Sequence, residues 1–165
     1  MSVWVGQEVQ EVLRQGSVSG PGIRLPWYAD GLRFACTQCG NCCSGAPGYV
    51  WFDDEDIQRI AAYVGLAPEQ FQRRHVRRAG RGHSLLERPG GDCEFLERRG
   101  DGKTACRIHP VRPMQCRTWP FWKSNLSSQA AWHETARHCP GMDAGELHAV
   151  TVIQDCLRDN GDRPL

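Results

Sequence analysis

Nine cysteines stand at positions 36, 39, 42, 43, 93, 106, 116, 139 and 156 of a chain of 165 residues. Four of them crowd into the stretch FACTQCGNCCSG, where Cys42 and Cys43 are adjacent. Thiols so placed can pair as disulfides, attack a substrate or hold a metal. Disulfide pairing fits poorly, because the count is odd, neighbouring cysteines rarely bridge each other, and no secretory leader is visible in MSVWVGQEVQEVLRQG. Nucleophilic catalysis needs one thiol beside a base, for which His109 and His138 are the nearest candidates in sequence. It has no use for eight or nine thiols.

Metal binding accounts for the number and the spacing together. A C-x2-C turn aims two thiolates at one ion, and Cys36, Cys39 and Cys42 repeat that spacing to give C-x2-C-x2-C. Such a wrap surrounds a [4Fe–4S] cube in proteins where a remote cysteine followed by proline supplies the fourth ligand, and Cys139-Pro140 fits that place. Zinc also takes four thiolates in a tetrahedron, so spacing alone leaves iron and zinc open. Neighbouring side chains leave the backbone in different directions, so Cys42 and Cys43 are expected to serve two sites, or to bridge two metals, rather than share one tetrahedral ion. Setting Cys156 aside leaves eight cysteines, two sets of four. Arg112 and Arg117 flank the turn carrying Cys116, where a guanidinium would offset thiolate charge. Trp119, Phe121 and Trp122 of TWPFW read as core wall or as a hydrophobic lid over the site.

The elements that must carry these residues are short. Residues 1–33 read as a peripheral helix, with Val5, Val9 and Leu13 on one face, and a linker. FDDEDIQRIAAYVG is the clearest helix, capped by Asp53, with Ile57, Ile60, Ala61 and Val64 on one face and Gly65 as its stop. Its acidic first turn is explained by capping and the helix dipole. A second helix starts at Pro68, and the run RRHVRR reads as its solvated face. Residues 84–108, broken by Pro-Gly-Gly and Gly-Asp-Gly, predict an antiparallel hairpin or meander bearing Cys93 and Cys106. HPVRPMQCRTWPFW predicts a turn or one-turn helix bearing Cys116, and SQAAWHETARHCPG a helix ending at Cys139. ELHAVTVIQDCLRD predicts a last amphipathic helix with Leu147, Val150, Ile153 and Leu157 on one stripe, and Cys156 as a buried apolar residue. The expected architecture is a small α+β single domain: mostly short helices, a β-hairpin or meander, and long loops around cysteine metal sites. The cysteine-cluster domain spans 34–141, and 142–165 packs a C-terminal helix and tail on it.

Composition excludes several classes. The net charge of +1 and a pI near 7.6 give no basic footprint for nucleic acid. No run approaches the roughly 18 apolar residues of a membrane span. The expectation is a cytoplasmic protein, where thiols stay reduced. Metallation would make the chain acidic, because four thiolates around a divalent ion add two negative charges.

The ordered set CTQCGNCC, GDC, CRIHPVRPMQCRTWPF and CPG resembles the YkgJ-type CxxCxxCC cysteine-cluster family, over about residues 34–141. The resemblance implies zinc or iron chelation, with Cys36, Cys39, Cys42, Cys43, Cys93, Cys106, Cys116 and Cys139 as the metal-binding cysteines. A similar cluster in bacterial flagellin lysine N-methylases accompanies an iron–sulfur centre, which favours iron; that activity is not carried over, since the chain lacks the length and a methyl-donor fingerprint. Two functions stand on these residues. One is an iron protein, with a [4Fe–4S] cluster or polynuclear iron, a redox role and a redox or other protein partner. The other is a structural zinc module without catalysis.

Overall fold

The computed structural model describes residues 25–45, 48–80 and 82–161. The expected N-terminal helix over Val5–Leu13 and the last residues of the tail lie outside these. Among the described residues, six α-helices and small antiparallel sheets form a mixed α+β domain, as expected. Strand β1 (Leu32–Phe34) pairs antiparallel with β7 (Glu146–His148), joining the two ends of the described chain. Strands β2 (Trp51–Phe52), β3 (Val76–Ala79) and β4 (Gly82–Leu85) form a sheet in the order β2-β4-β3. Strands β5 (Leu96–Arg98) and β6 (Thr104–Cys106) form the hairpin expected around Gly-Asp-Gly.

The helices follow their local signals. α1 (Asp54–Tyr63) begins where Asp53 accepts a hydrogen bond from the Asp56 N–H, and Gly65 takes φ of 72° at its exit. Ile57, Ile60 and Ala61 face inward, as the 3.6-residue period requires. α2 (Pro68–His75) starts on its proline. α3 (Met114–Arg117) and α4 (Lys123–Leu126) are single turns, α5 (Gln129–Ala136) is capped by Ser128, and α6 (Val150–Asn160) closes the domain.

Three stretches depart from the expectation, the first two because strand pairing overrode helical periodicity. RRHVRR is not one helical face: α2 ends at His75, and Arg77 and Arg78 lie in β3 opposite Ser84 and His83. Leu147 is not on the last helix; it is half-exposed in β7, and α6 starts at Val150. The residues just before Phe34 are not only linker, since Leu32 is buried and the Trp27 ring packs near Trp132.

Two apolar clusters result. One gathers Phe52, Ile57, Ile60, Ala61, Phe71, Leu85, Phe95 and Ile108, with Cys93 and Cys106 packed against it. The other gathers Leu32, Phe121, Leu126, Trp132, Cys139, Met142 and Ile153, with Trp119 and Cys156 at its side. The cysteines therefore approach from both clusters. Among the described residues, no helix is long and apolar enough to cross a membrane.

Candidate metal centre

Each cysteine is held by a short element whose backbone is fixed from elsewhere. Cys36 and Cys39 lie in the loop after β1, where Gln38 and Gly40 both take positive φ. The Thr104 hydroxyl donates to the Gln38 carbonyl, clamping this loop onto β6. A Cβ on Gly40 would lie 2.6 Å from Thr104 Oγ1, so only glycine allows this approach. Cys42 and Cys43 sit on a single 3-10 turn, Asn41–Cys43, closed by the Cys43 N–H donating to the Gly40 carbonyl at 2.9 Å. The Cys93 N–H donates to the Cys43 carbonyl at 2.7 Å, which binds the second cysteine stretch directly to the first.

Cys106 ends β6 opposite Leu96. Cys116 rides on α3, whose buried Gln115 accepts from the Trp51 N–H at 2.7 Å and donates to the Tyr49 carbonyl at 3.0 Å. Gln115 is thus a positioning residue that sequence reasoning missed, because nothing in PMQCR marks a glutamine that completes the edge of β2. Cys139 lies three residues past α5 rather than on it, and is buried. The Asn41 side chain donates to the His138 carbonyl at 2.6 Å and so ties this end to the 3-10 turn.

The eight cysteines line two adjoining cavities. The larger, about 360 Å³, has Cys42, Cys43, Cys93, Cys106 and Cys116 in its wall, with Arg112, Trp119 and Trp122. The smaller, about 60 Å³, has Cys36, Cys39, Cys42, Cys43, Cys106 and Cys139, again with Arg112 and Trp119. Cys42 and Cys43 belong to both, and their sulfurs are 3.8 Å apart. Adjacent side chains were expected to diverge; the 3-10 turn brings them together instead. Four thiolates at about 2.3 Å from one ion in a tetrahedron stand about 3.8 Å from one another, so this pair has the spacing of two ligands on one ion. Among the described residues, however, no three His, Cys, Asp or Glu side chains are grouped closely enough to hold an ion as they stand.

Charge sets the state of these thiols. Contact with Cys43 draws the Cys42 thiol down to about 7, with help from Arg112, and the same contact together with burial drives Cys43 upward. Burial pushes Cys93 up to about 11 and raises Cys106 and Cys116 as well. Desolvation penalises the Cys93, Cys106 and Cys116 thiolates; Arg112 offsets part of this at Cys106 and Cys116, and a metal cation among the sulfurs would offset more. Arg112 faces Cys42, Cys106 and Cys116 from the turn before α3. Arg117, in contrast, is exposed and stands outside the walls of both cavities. Cys156 also lies apart, half-buried beside the second apolar cluster, as expected of a ninth, apolar cysteine. Trp119 and Trp122 form cavity wall, their rings edge to face at 4.8 Å, while Phe121 belongs to the core.

An all-sulfur donor set suits zinc and iron alike. Comparison with known proteins leads to the same pair of metals. Residues 35–140 match the family model CxxCxxCC, described as a candidate zinc- or iron-chelating domain. An uncharacterized protein of Methanocaldococcus jannaschii is 30% identical over 112 residues, which is 67% of this chain and 58% of the relative. The chain thus spans little more than half of that relative's length. No solved structure matches. By the extent of the match, the chain belongs to the CxxCxxCC family of candidate zinc- or iron-chelating domains.

Proposed function

We propose that the chain is a metalloprotein whose eight cysteines Cys36, Cys39, Cys42, Cys43, Cys93, Cys106, Cys116 and Cys139 hold two neighbouring metal positions. The observation that carries this is the Cys42–Cys43 pair, 3.8 Å between sulfurs, in the wall shared by two cysteine-lined cavities. Cys36, Cys39 and Cys139 line only the smaller cavity; Cys93 and Cys116 line only the larger; Cys106 lines both. The grouping that follows assigns Cys36, Cys39 and Cys139 to one position and Cys93, Cys106 and Cys116 to the other. One member of the adjacent pair completes each set of four, so the two positions meet at this turn. Arg112, beside both, offsets the thiolate charge.

The metal in this reading is iron, held as an iron–sulfur or polynuclear group with a redox role in a reducing, cytoplasmic setting. The larger cavity supports it: about 360 Å³ is far more room than a lone ion fills, and bridging sulfide lets thiols too far apart for one ion share a cluster. The 3.8 Å edge supports the second reading, a closed zinc tetrathiolate with a purely structural role.

Anaerobic, tag-free purification with metal and sulfide analysis and a visible spectrum separates the readings. Iron with acid-labile sulfide and broad visible absorption is the expected result. A colourless protein with about two zinc ions would establish the structural reading instead. A folded, metal-free chain would overturn both.

A further inference from the structure

We propose that the two metal positions differ in permanence: Cys36 and Cys39 give up the ion of an outer position to thiolate ligands from solution, while Cys93, Cys106 and Cys116 retain theirs. This rests on the two-position reading and adds a function to it, metal transfer at the outer face.

Cys93, Cys106 and Cys116 are built into hydrogen-bonded structure. The Cys93 N–H donates to the Cys43 carbonyl at 2.7 Å, and the Cys93 carbonyl accepts from the Leu96 N–H at 2.9 Å. Cys106 is paired within β6. The turn under Cys116 is closed by the Arg117 and Thr118 N–H groups, which donate to the Pro113 and Met114 carbonyls at 3.1 and 3.0 Å. Residues 36–39 lack such ties. Among the described residues, the Gln38 carbonyl is their one hydrogen-bonded group, and its donor is the Thr104 hydroxyl. Opening a paired strand or a closed turn costs more than swinging out a loop held by one bond, so this loop is the low-stability end of the site.

Its surroundings agree. Ala35, Cys36, Thr37 and Gln38 form an exposed edge, whereas Cys93 and Cys106 pack against the first apolar cluster. The loop ends at Gly40, which is buried against Thr104 with φ of 77° and serves as the pivot. Cys139, buried past α5, and Cys42, on the 3-10 turn, stay in place when the loop moves. Cys36 and Cys39 therefore leave together, as two of the four ligands. Cys42 is exposed, while the Cys43 carbonyl is bonded to Cys93, so Cys42 belongs to the outer set and Cys43 to the inner one.

Transfer at this edge is ligand substitution without redox change. An incoming thiolate fills the place that Cys36 or Cys39 gives up, and the departing cysteine keeps its electron pair as a thiolate or takes a proton from water. Among the described residues the wall here carries no carboxylate; beyond the cysteines its titratable side chains are His109 and Arg112. An anionic thiolate thus meets a guanidinium and an imidazole instead of like charge.

The test uses the full chain loaded with zinc, whose content is measured first. Release is followed with a chromogenic pyridylazo chelator, alone, with glutathione, and with S-methylglutathione, which lacks the thiol. We expect two phases of equal amplitude, the first about tenfold faster or more. Its rate should rise with glutathione and not with S-methylglutathione. Iodoacetamide added after the fast phase of the chelator-only reaction should label Cys36 and Cys39 and leave Cys93, Cys106 and Cys116 protected. Thr104→Val, which frees the Gln38 carbonyl, should speed the fast phase about fivefold, the loss of one hydrogen bond, and leave the slow phase unchanged.

Zinc lost in a single phase from a chain that holds about two ions overturns the inference and leaves the two-position reading standing. Early labelling of Cys93 or Cys116, a fast phase indifferent to glutathione, or a Thr104→Val variant that speeds both phases equally or neither overturns it as well. A chain that holds fewer than about two zinc ions overturns both.

Discussion

The Cys42 and Cys43 sulfurs lie 3.8 Å apart on one 3-10 turn, and that turn is fastened to Cys93 by a backbone hydrogen bond of 2.7 Å. Two thiols at this spacing form a preformed junction between the two proposed metal positions. They cost little further reorganisation when an ion arrives, whereas the remaining cysteines must close inward around it.

Removing cysteines by group should therefore divide the metal content. Cys36→Ser with Cys39→Ser should lose about half of the bound metal and keep the rest, and Cys93→Ser with Cys116→Ser should do the same for the other half. Cys43→Ser should lower both. Elemental analysis of the purified variants checks this; an all-or-none loss in every variant would point to one polynuclear site.

Gly40→Ala should damage the first cysteine loop without touching a thiol. Its φ of 77° and the 2.6 Å approach to Thr104 Oγ1 leave no place for a methyl group. A cost of about 1–3 kcal/mol is expected, with weaker metal retention. Chemical denaturation and metal content read the two effects.

Arg59→Ala should destabilise the fold in a pH-dependent way. Arg59 pairs with the buried Asp56 carboxylate and donates to the Arg112 carbonyl at 3.3 Å, bracing the turn that presents Arg112. Burial, and then Asp53, already raise the Asp56 pKa above 3.8, while Arg59 opposes the rise. Removing Arg59 lifts it further. Above both folded pKa values the variant carries an unpaired buried carboxylate, at a cost of about 1–3 kcal/mol once partial exposure of the arginine is allowed for. As pH falls through the variant's raised pKa, its Asp56 takes up a proton and the deficit shrinks. Denaturation midpoints from neutral to acid pH should converge with the wild type; a constant gap would mean that the lost bond to Arg112 dominates.

Cys156→Ser is the control. Cys156 is half-buried beside the second apolar cluster and lines neither cysteine cavity. Metal content should be unchanged and stability should fall by about 1 kcal/mol or less. Loss of metal would bring a ninth cysteine into the centre.

The sequence by itself determined the cysteine inventory, the helix capped by Asp53, the hairpin around Gly-Asp-Gly, the one-turn helix under Cys116 and the zinc-or-iron family. These depend on local signals: caps, turn residues and spacing within a few positions. Only the tertiary structure decided that Arg77 and Arg78 join a sheet, that Leu147 pairs with Arg33, that Gln115 fastens the Cys116 helix, and that Arg112 rather than Arg117 faces the thiols. It also brought Cys139 from one apolar cluster and Cys93 from the other to the two sides of the Cys42–Cys43 turn. Pairing and enclosure depend on what arrives from tens of residues away, and no local pattern carries that information.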